Sequence, residues 1–169
     1  DLKLSRGLGD VYKRQPIDSS TEASLESCFH HLAPVGVEEF VCISSNVPIE
    51  IEGRELHARH VADDVVWFEF AELCDGPRSQ MDDIELAKEF HEVIISNVPQ
   101  MNSQTDDKAR RFILMVDEFY DRKIKLVISA DVAVEQLYSG NRLAFEFERT
   151  LSRLLEMQSH DYLASAHRA

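Results

Sequence analysis

Glycine is scarce in this sequence: six in 169 residues, two of them at Gly7 and Gly9. None stands in a GxxxxGK[ST] pattern, the loop whose backbone N–H groups cradle nucleotide phosphates. Cysteine is scarce as well. Cys28, Cys42 and Cys74 are odd in number and lack paired spacing. That argues against a disulfide framework and fits a reducing compartment. No apolar run approaches the roughly 18–20 residues that span a bilayer. No GxSxG turn exists to expose a nucleophilic serine. Cations are outnumbered, 18 Lys and Arg against 31 Asp and Glu, for a net charge of −13. Nonspecific nucleic-acid binding needs clustered cations on phosphates, and this balance disfavours it. It suits a soluble chain or one that meets basic partner surfaces.

Residues 10–15, DVYKRQ, read as the in-frame translation of a transposon end used to prepare sequencing libraries, and the sequence begins without Met. Residues 1–15 are expected to be a non-native scar that packs on nothing. They carry Lys3, Arg6, Lys13 and Arg14 against Asp1 and Asp10, so removing their +2 leaves −15. The remaining length accommodates one domain with a real core, or one and a half.

The most informative stretch is 109–130, ARRFILMVDEFYDRKIKLVISA. An apolar run followed by Asp117-Glu118 resembles the strand end with which P-loop ATPases hold magnesium and aim a water. Spacing rules against that reading. Only DEFYDRK separates the two apolar runs, too short for the crossover of a dozen residues that parallel strands need. Instead Ala109, Phe112, Ile113, Val116, Phe119 and Tyr120 recur at three- and four-residue steps, one face of a helix. Asp106 and Asp107 suit its start, and Arg122 and Lys123 its end. The pattern predicts a helix over 105–122, a buried strand over 124–129, and a helical Asp117-Glu118.

The rest of the chain yields a coarse map. A helix is expected from Ser19 to about Leu32 and a short strand over 40–44. Segments 46–51 and 55–61 should pair as a hairpin around Glu52-Gly53-Arg54, followed by a strand over 65–73. Then come a helix (82–90), a strand (92–97), the helix and strand just described, a short helix (132–138) and a final helix (143–163). The division falls at 74–79. It separates residues 16–73, a helix plus a β-rich insertion, from 74–169, where alternating elements imply a parallel α/β layer. The runs VIISNV and IKLVIS are apolar enough for strands covered on both faces.

Candidate chemistry is sparse. Cys28-Phe29-His30-His31 and His57-Ala58-Arg59-His60 resemble fragments of metal sites but lack paired ligand spacing, so no metal is expected. Cys74 has no cationic neighbour in sequence to activate it. Arg78, Arg110, Arg111, Arg149 and Arg153 could contact a phosphate. Equally, they could pair with carboxylates, Arg149 with Glu146 and Arg153 with Glu156 at helical spacing. Trp67 suits either the core or a partner-facing ring.

As strings, GPRSQMDDIELAKEFHEVIISNVPQM, DDKARRFILMVDEFYDRKIKLVISADV and LYSGNRLAFEFERTLSRLLEMQSHDYL resemble the C-terminal part of the ZapE family. These are bacterial cell-division P-loop ATPases similar to mitochondrial AFG-like ATPases. The resemblance is dense from about Phe68 to Leu163 and loose from Pro16 to Trp67. It implies the α/β C-terminal part of a AAA+-like P-loop NTPase, preceded by a small antiparallel β unit. It implies ATP and magnesium as ligands of the full-length family and a tubulin-like division-ring protein as partner. The implied location is the bacterial cytoplasm, at the inner face of the membrane. The family's phosphate loop and magnesium motif lie upstream of everything here, so no catalytic residue is expected in this stretch, nor ATP bound to it alone. Arg78, in RSQ, and Arg149 and Arg153, in RTLSRL, are the candidate contacts to nucleotide, to a neighbouring subunit or to the core sheet. The alternative is a non-catalytic module that docks a division partner through residues 40–73.

Overall fold

The computed structural model describes residues 19–33, 46–76 and 79–168. The expected scar at 1–15, the strand at 40–44, Cys42 and Arg78 lie outside them.

Helix α1 (Ser19–Leu32) matches its expected bounds. Strands β1 (Val47–Ile51) and β2 (Arg54–Ala58) form the expected antiparallel hairpin. Its turn is two residues long, because Arg54 already pairs with Ile51. Glu52 (φ 51°) and Gly53 (φ 72°) both take the left-handed conformation that a tight hairpin turn requires. The second strand stops at Ala58, where the chain passes into β3 (His60–Ala62) and a different sheet. Alternation alone cannot reveal such a change of partner.

The main sheet runs β3-β4-β5-β6. It comprises β3, β4 (Val65–Glu69), β5 (Glu92–Val98) and β6 (Lys125–Ala130). β3 pairs antiparallel with β4, and β4, β5 and β6 are parallel neighbours. The residues expected to continue β4 through Leu73 instead form α2 (Phe70–Cys74). Phe70, Leu73 and Cys74 are all buried at helical spacing, so FEFAEL satisfies both periods and packing selects the helix. Helices α3 (Gln80–Glu89) and α4 (Asp106–Asp121) supply the crossovers, α4 between β5 and β6 as expected. The expected division at 74–79 falls between β4 and β5, which pair directly in one sheet.

Side chains alternate across the sheet. Val66, Phe68, Val93, Ile95, Leu126 and Ile128 face the main core with Leu86, Phe112, Val116, Phe119 and Leu154. Val65, Trp67, Ile94 and Val127 face Leu25 and Phe29 of α1. Two later expectations change. Residues 132–138 hold only a 3-10 turn at Val134–Gln136. There the Met101 amide donates to the Leu137 carbonyl and the Ser139 amide to the Met101 carbonyl, so the segment lies extended beside Met101. The final helix divides into α5 (Ala144–Met157) and α6 (His160–Ala164), because the Ser159 side chain caps α6 by accepting from the Tyr162 amide. Gly140 is obligatory for space: a Cβ there would meet the Tyr138 hydroxyl at 2.4 Å. No helix among the described residues is long and apolar enough to cross a membrane.

Candidate functional site

Helix α4 ends abruptly, and Asp117 lies in its last turns. The Ile124 amide donates to the Phe119 carbonyl and the Lys123 amide to that of Tyr120, with Lys123 left-handed at φ 62°. This paired closure turns the chain from helix into β6 within three residues, and buried Phe119 and Ile124 seal it. Asp117 and Glu118 therefore sit in the last turns of a helix, on opposite flanks of its buried face.

On one flank is α5. Its buried residues Phe147, Thr150, Leu154 and Met157 lie against the core, with Phe147 stacked on Phe112 at 6.4 Å. That orientation turns both Arg149 and Arg153 onto Asp117. Arg149 Nη2 lies 2.7 Å from Asp117 Oδ2, and Arg153 Nη1 contacts Asp117 Oδ1. The Arg153 guanidinium also lies over the Tyr120 ring at 5.0 Å. The Tyr120 hydroxyl donates to Glu156 Oε2 at 2.7 Å, and that bond raises its pKa. Helical spacing favours carboxylate partners for these arginines, which holds. The expected partners, Glu146 and Glu156, are replaced by one carboxylate on another helix, Asp117.

Glu118, on the other flank, pairs with Arg122 Nε at 2.5 Å. It also faces α3, where burial first, and then Asp82 and Glu118, push the Asp83 carboxyl up to about 7. Both acids of the Asp117-Glu118 pair are thus engaged by cations of this chain. Asp117 and Glu118 keep only 21% and 17% of their side chains exposed. Among the described residues no group of three His, Cys, Asp or Glu is placed to hold a metal ion. Arg149 remains 57% exposed, so its outer face is open to a second anion. Arg111 donates to the Cys74 carbonyl, and Arg110 is exposed.

The other candidates separate. His57 lies between Glu55 and Glu72, whereas His60 packs on Phe29 and Trp67, where burial lowers its pKa. Burial pushes the Cys28 thiol up to about 11 and raises that of Cys74 further, so neither is a thiolate at neutral pH. Trp67 is core, fully buried.

Sequence reasoning missed a polar network at the carboxyl ends of β4, β5 and β6. The Glu69 carboxylate accepts from Arg59 at 2.8 Å, from Ser96 at 3.0 Å and from Asn97 at 2.7 Å. Ser96 in turn accepts from the Trp67 indole at 3.0 Å. The Ser129 hydroxyl accepts from the Asn97 amide. Arg59 stacks over Trp67 and reaches Glu22 on α1. The available signal was a Glu ending one apolar strand beside Ser-Asn ending the next.

The model of the AFG1-like ATPase family matches residues 9–166. The cell division protein ZapE of Escherichia coli K12 is 42% identical over 154 residues, covering 91% of this chain and 40% of that protein. Lactation elevated protein 1 homolog B of Danio rerio is 29% identical over 153 residues, covering 72% of this chain and 30% of its own length. No solved structure matches at comparable significance. The chain spans about 40% of the length of the ZapE proteins it matches. A match across nearly the whole chain, together with that level of identity, establishes that the chain belongs to the AFG1-like ATPase family.

Proposed function

We propose that this chain is the C-terminal stretch of a ZapE-like ATPase that hydrolyses ATP with magnesium and acts on the bacterial division ring. The observation that carries the reading is the 42% identity to a cell division protein over 91% of the chain. The phosphate loop lies in sequence outside this stretch, which holds no GxxxxGK[ST]. The one acidic pair that could be mistaken for a magnesium motif is occupied by arginines. The role left to this stretch is a scaffold that presents Arg149, Arg153 and Arg78 to nucleotide or to a neighbouring subunit. Work at the division ring sets it in the cytoplasm beside the inner face of the membrane, against a tubulin-like partner. The alternative docking face narrows, because Val65–Phe68 are buried in the main sheet, while among the described residues of that region the β1–β2 hairpin pairs outside it.

The test is a chimera in which residues 16–166 replace the matching segment of E. coli ZapE. Magnesium-dependent ATP hydrolysis should persist in the chimera, while purified 16–169 alone shows none. Turnover by 16–169 that disappears on Asp117→Ala would overturn the reading and restore Asp117 as a magnesium ligand.

A further inference from the structure

Residues 165–168 lie across the N-terminal ends of β5 and β6, held by contacts from four directions. The Lys125 ammonium donates to the Ser165 carbonyl at 2.6 Å and to the Tyr162 carbonyl at 3.3 Å. The Arg168 amide donates to the Arg122 carbonyl at 2.8 Å. His167 Nε2 lies 2.7 Å from the Ala87 carbonyl, so that nitrogen carries the proton and donates. The same ring packs on His91, with centroids 4.1 Å apart and planes tilted by 31°. His91 Nδ1 faces the Asp64 carboxylate at 3.4 Å.

A first positive charge on this histidine pair faces a carboxylate, and a second meets the first. In these contacts the Asp64 carboxylate lies beside His91 and not beside His167. Protonating His167 as well puts two like charges in direct ring contact, with a lysine ammonium already on the same segment. Imidazole is the side chain whose charge changes between about pH 5 and 8. We propose that residues 165–168 form a pH-sensitive latch, closed while at most one of His91 and His167 is charged and released when both rings are charged.

The other groups facing the latch make the release local. They are Asp64 from the β3–β4 turn, Glu92 and Lys125 from the strands, the Ala87 carbonyl from α3 and the Arg122 carbonyl from the end of α4. Burial, reinforced by Asp64 and opposed by Lys125, pushes the Glu92 carboxyl up to about 7. Acidification therefore neutralises Glu92 and removes the cost of its half-buried charge, so the sheet gains while the latch loses. Helix α6 keeps its own anchor, the Tyr162 hydroxyl lying 2.9 Å from the Ile124 carbonyl and 3.2 Å from that of Phe119.

Amide hydrogen exchange of the whole chain, followed by NMR and corrected for intrinsic rates, tests this. The internal control is the Leu163 amide, bonded to the Ser159 carbonyl in α6. Between about pH 7.5 and about pH 5.5 protection of the Arg168 amide should fall at least about tenfold, with Leu163 unchanged. His91→Gln, which keeps bulk without a second charge, should hold Arg168 protected at the lower pH. Equal protection of Arg168 at both pH values, or an equal loss in His91→Gln, would overturn the latch.

Discussion

The two faces of the main sheet are built differently. One carries Val66, Phe68, Val93, Ile95, Leu126 and Ile128 under α2–α6, a continuous apolar cluster. Among the described residues, the other carries Val65, Trp67, Ile94 and Val127 under the single helix α1. Apolar burial dominates the first face. On the second, a small apolar contact is supplemented by charge, with Arg59 bridging Glu22 of α1 to Glu69 of β4. Cooperative stability should therefore reside on the first face, and α1 should be the part that opens locally.

Truncation at matched aromatic positions separates the two faces most strongly. Phe112→Ala, beneath α4, is expected to cost about 3–5 kcal/mol and to lower the urea midpoint of every spectroscopic probe together. Phe29→Ala on α1 removes a ring of the same size. Its cost is capped by the free energy of detaching the helix, so amides of α1 should lose protection while those of β5 keep theirs. Equal global losses in both variants would erase the distinction between the faces.

A smaller effect tests a weak point within the thick face. Asp83, a residue of α3 near Glu118, has its carboxyl pushed up to about 7 chiefly by burial. A carboxyl whose folded pKa lies above its unfolded value binds more protons when folded. Its contribution therefore falls as pH rises from about 4 to about 7, and the loss is complete above that. Asp83→Asn should raise the Tm by about 2–4 °C at about pH 8, and by less at about pH 5. Thermal unfolding at the two pH values checks the sign.

Much of this architecture is legible in local pattern. The 105–122 periodicity sets α4, and the nearly all-apolar runs VIISNV and IKLVIS mark β5 and β6 as strands buried on both faces. What local pattern cannot resolve is partnership. FEFAEL fits period 2 and helical spacing alike, and only the core beneath Phe70 and Leu73 decides for the helix. The strand expected over 55–61 changes sheets at Arg59, which no alternation records. The site shows the same limit. Spacing within α5 pointed Arg149 to Glu146 and Arg153 to Glu156, the only carboxylates within reach in sequence. Folding supplied Asp117 from α4 instead, while Glu156 took the Tyr120 hydroxyl.

Asp117 is thus an acid that resembles a magnesium ligand in sequence and serves in the fold as the shared ion-pair partner of two arginines. A double-mutant cycle with Asp117→Asn and Arg153→Met, measured by urea unfolding with and without magnesium, tests that most directly. A coupling of about 1–2 kcal/mol, the same with and without magnesium, is the predicted result. A coupling below about 0.3 kcal/mol, together with stabilisation by magnesium that Asp117→Asn abolishes, would contradict it.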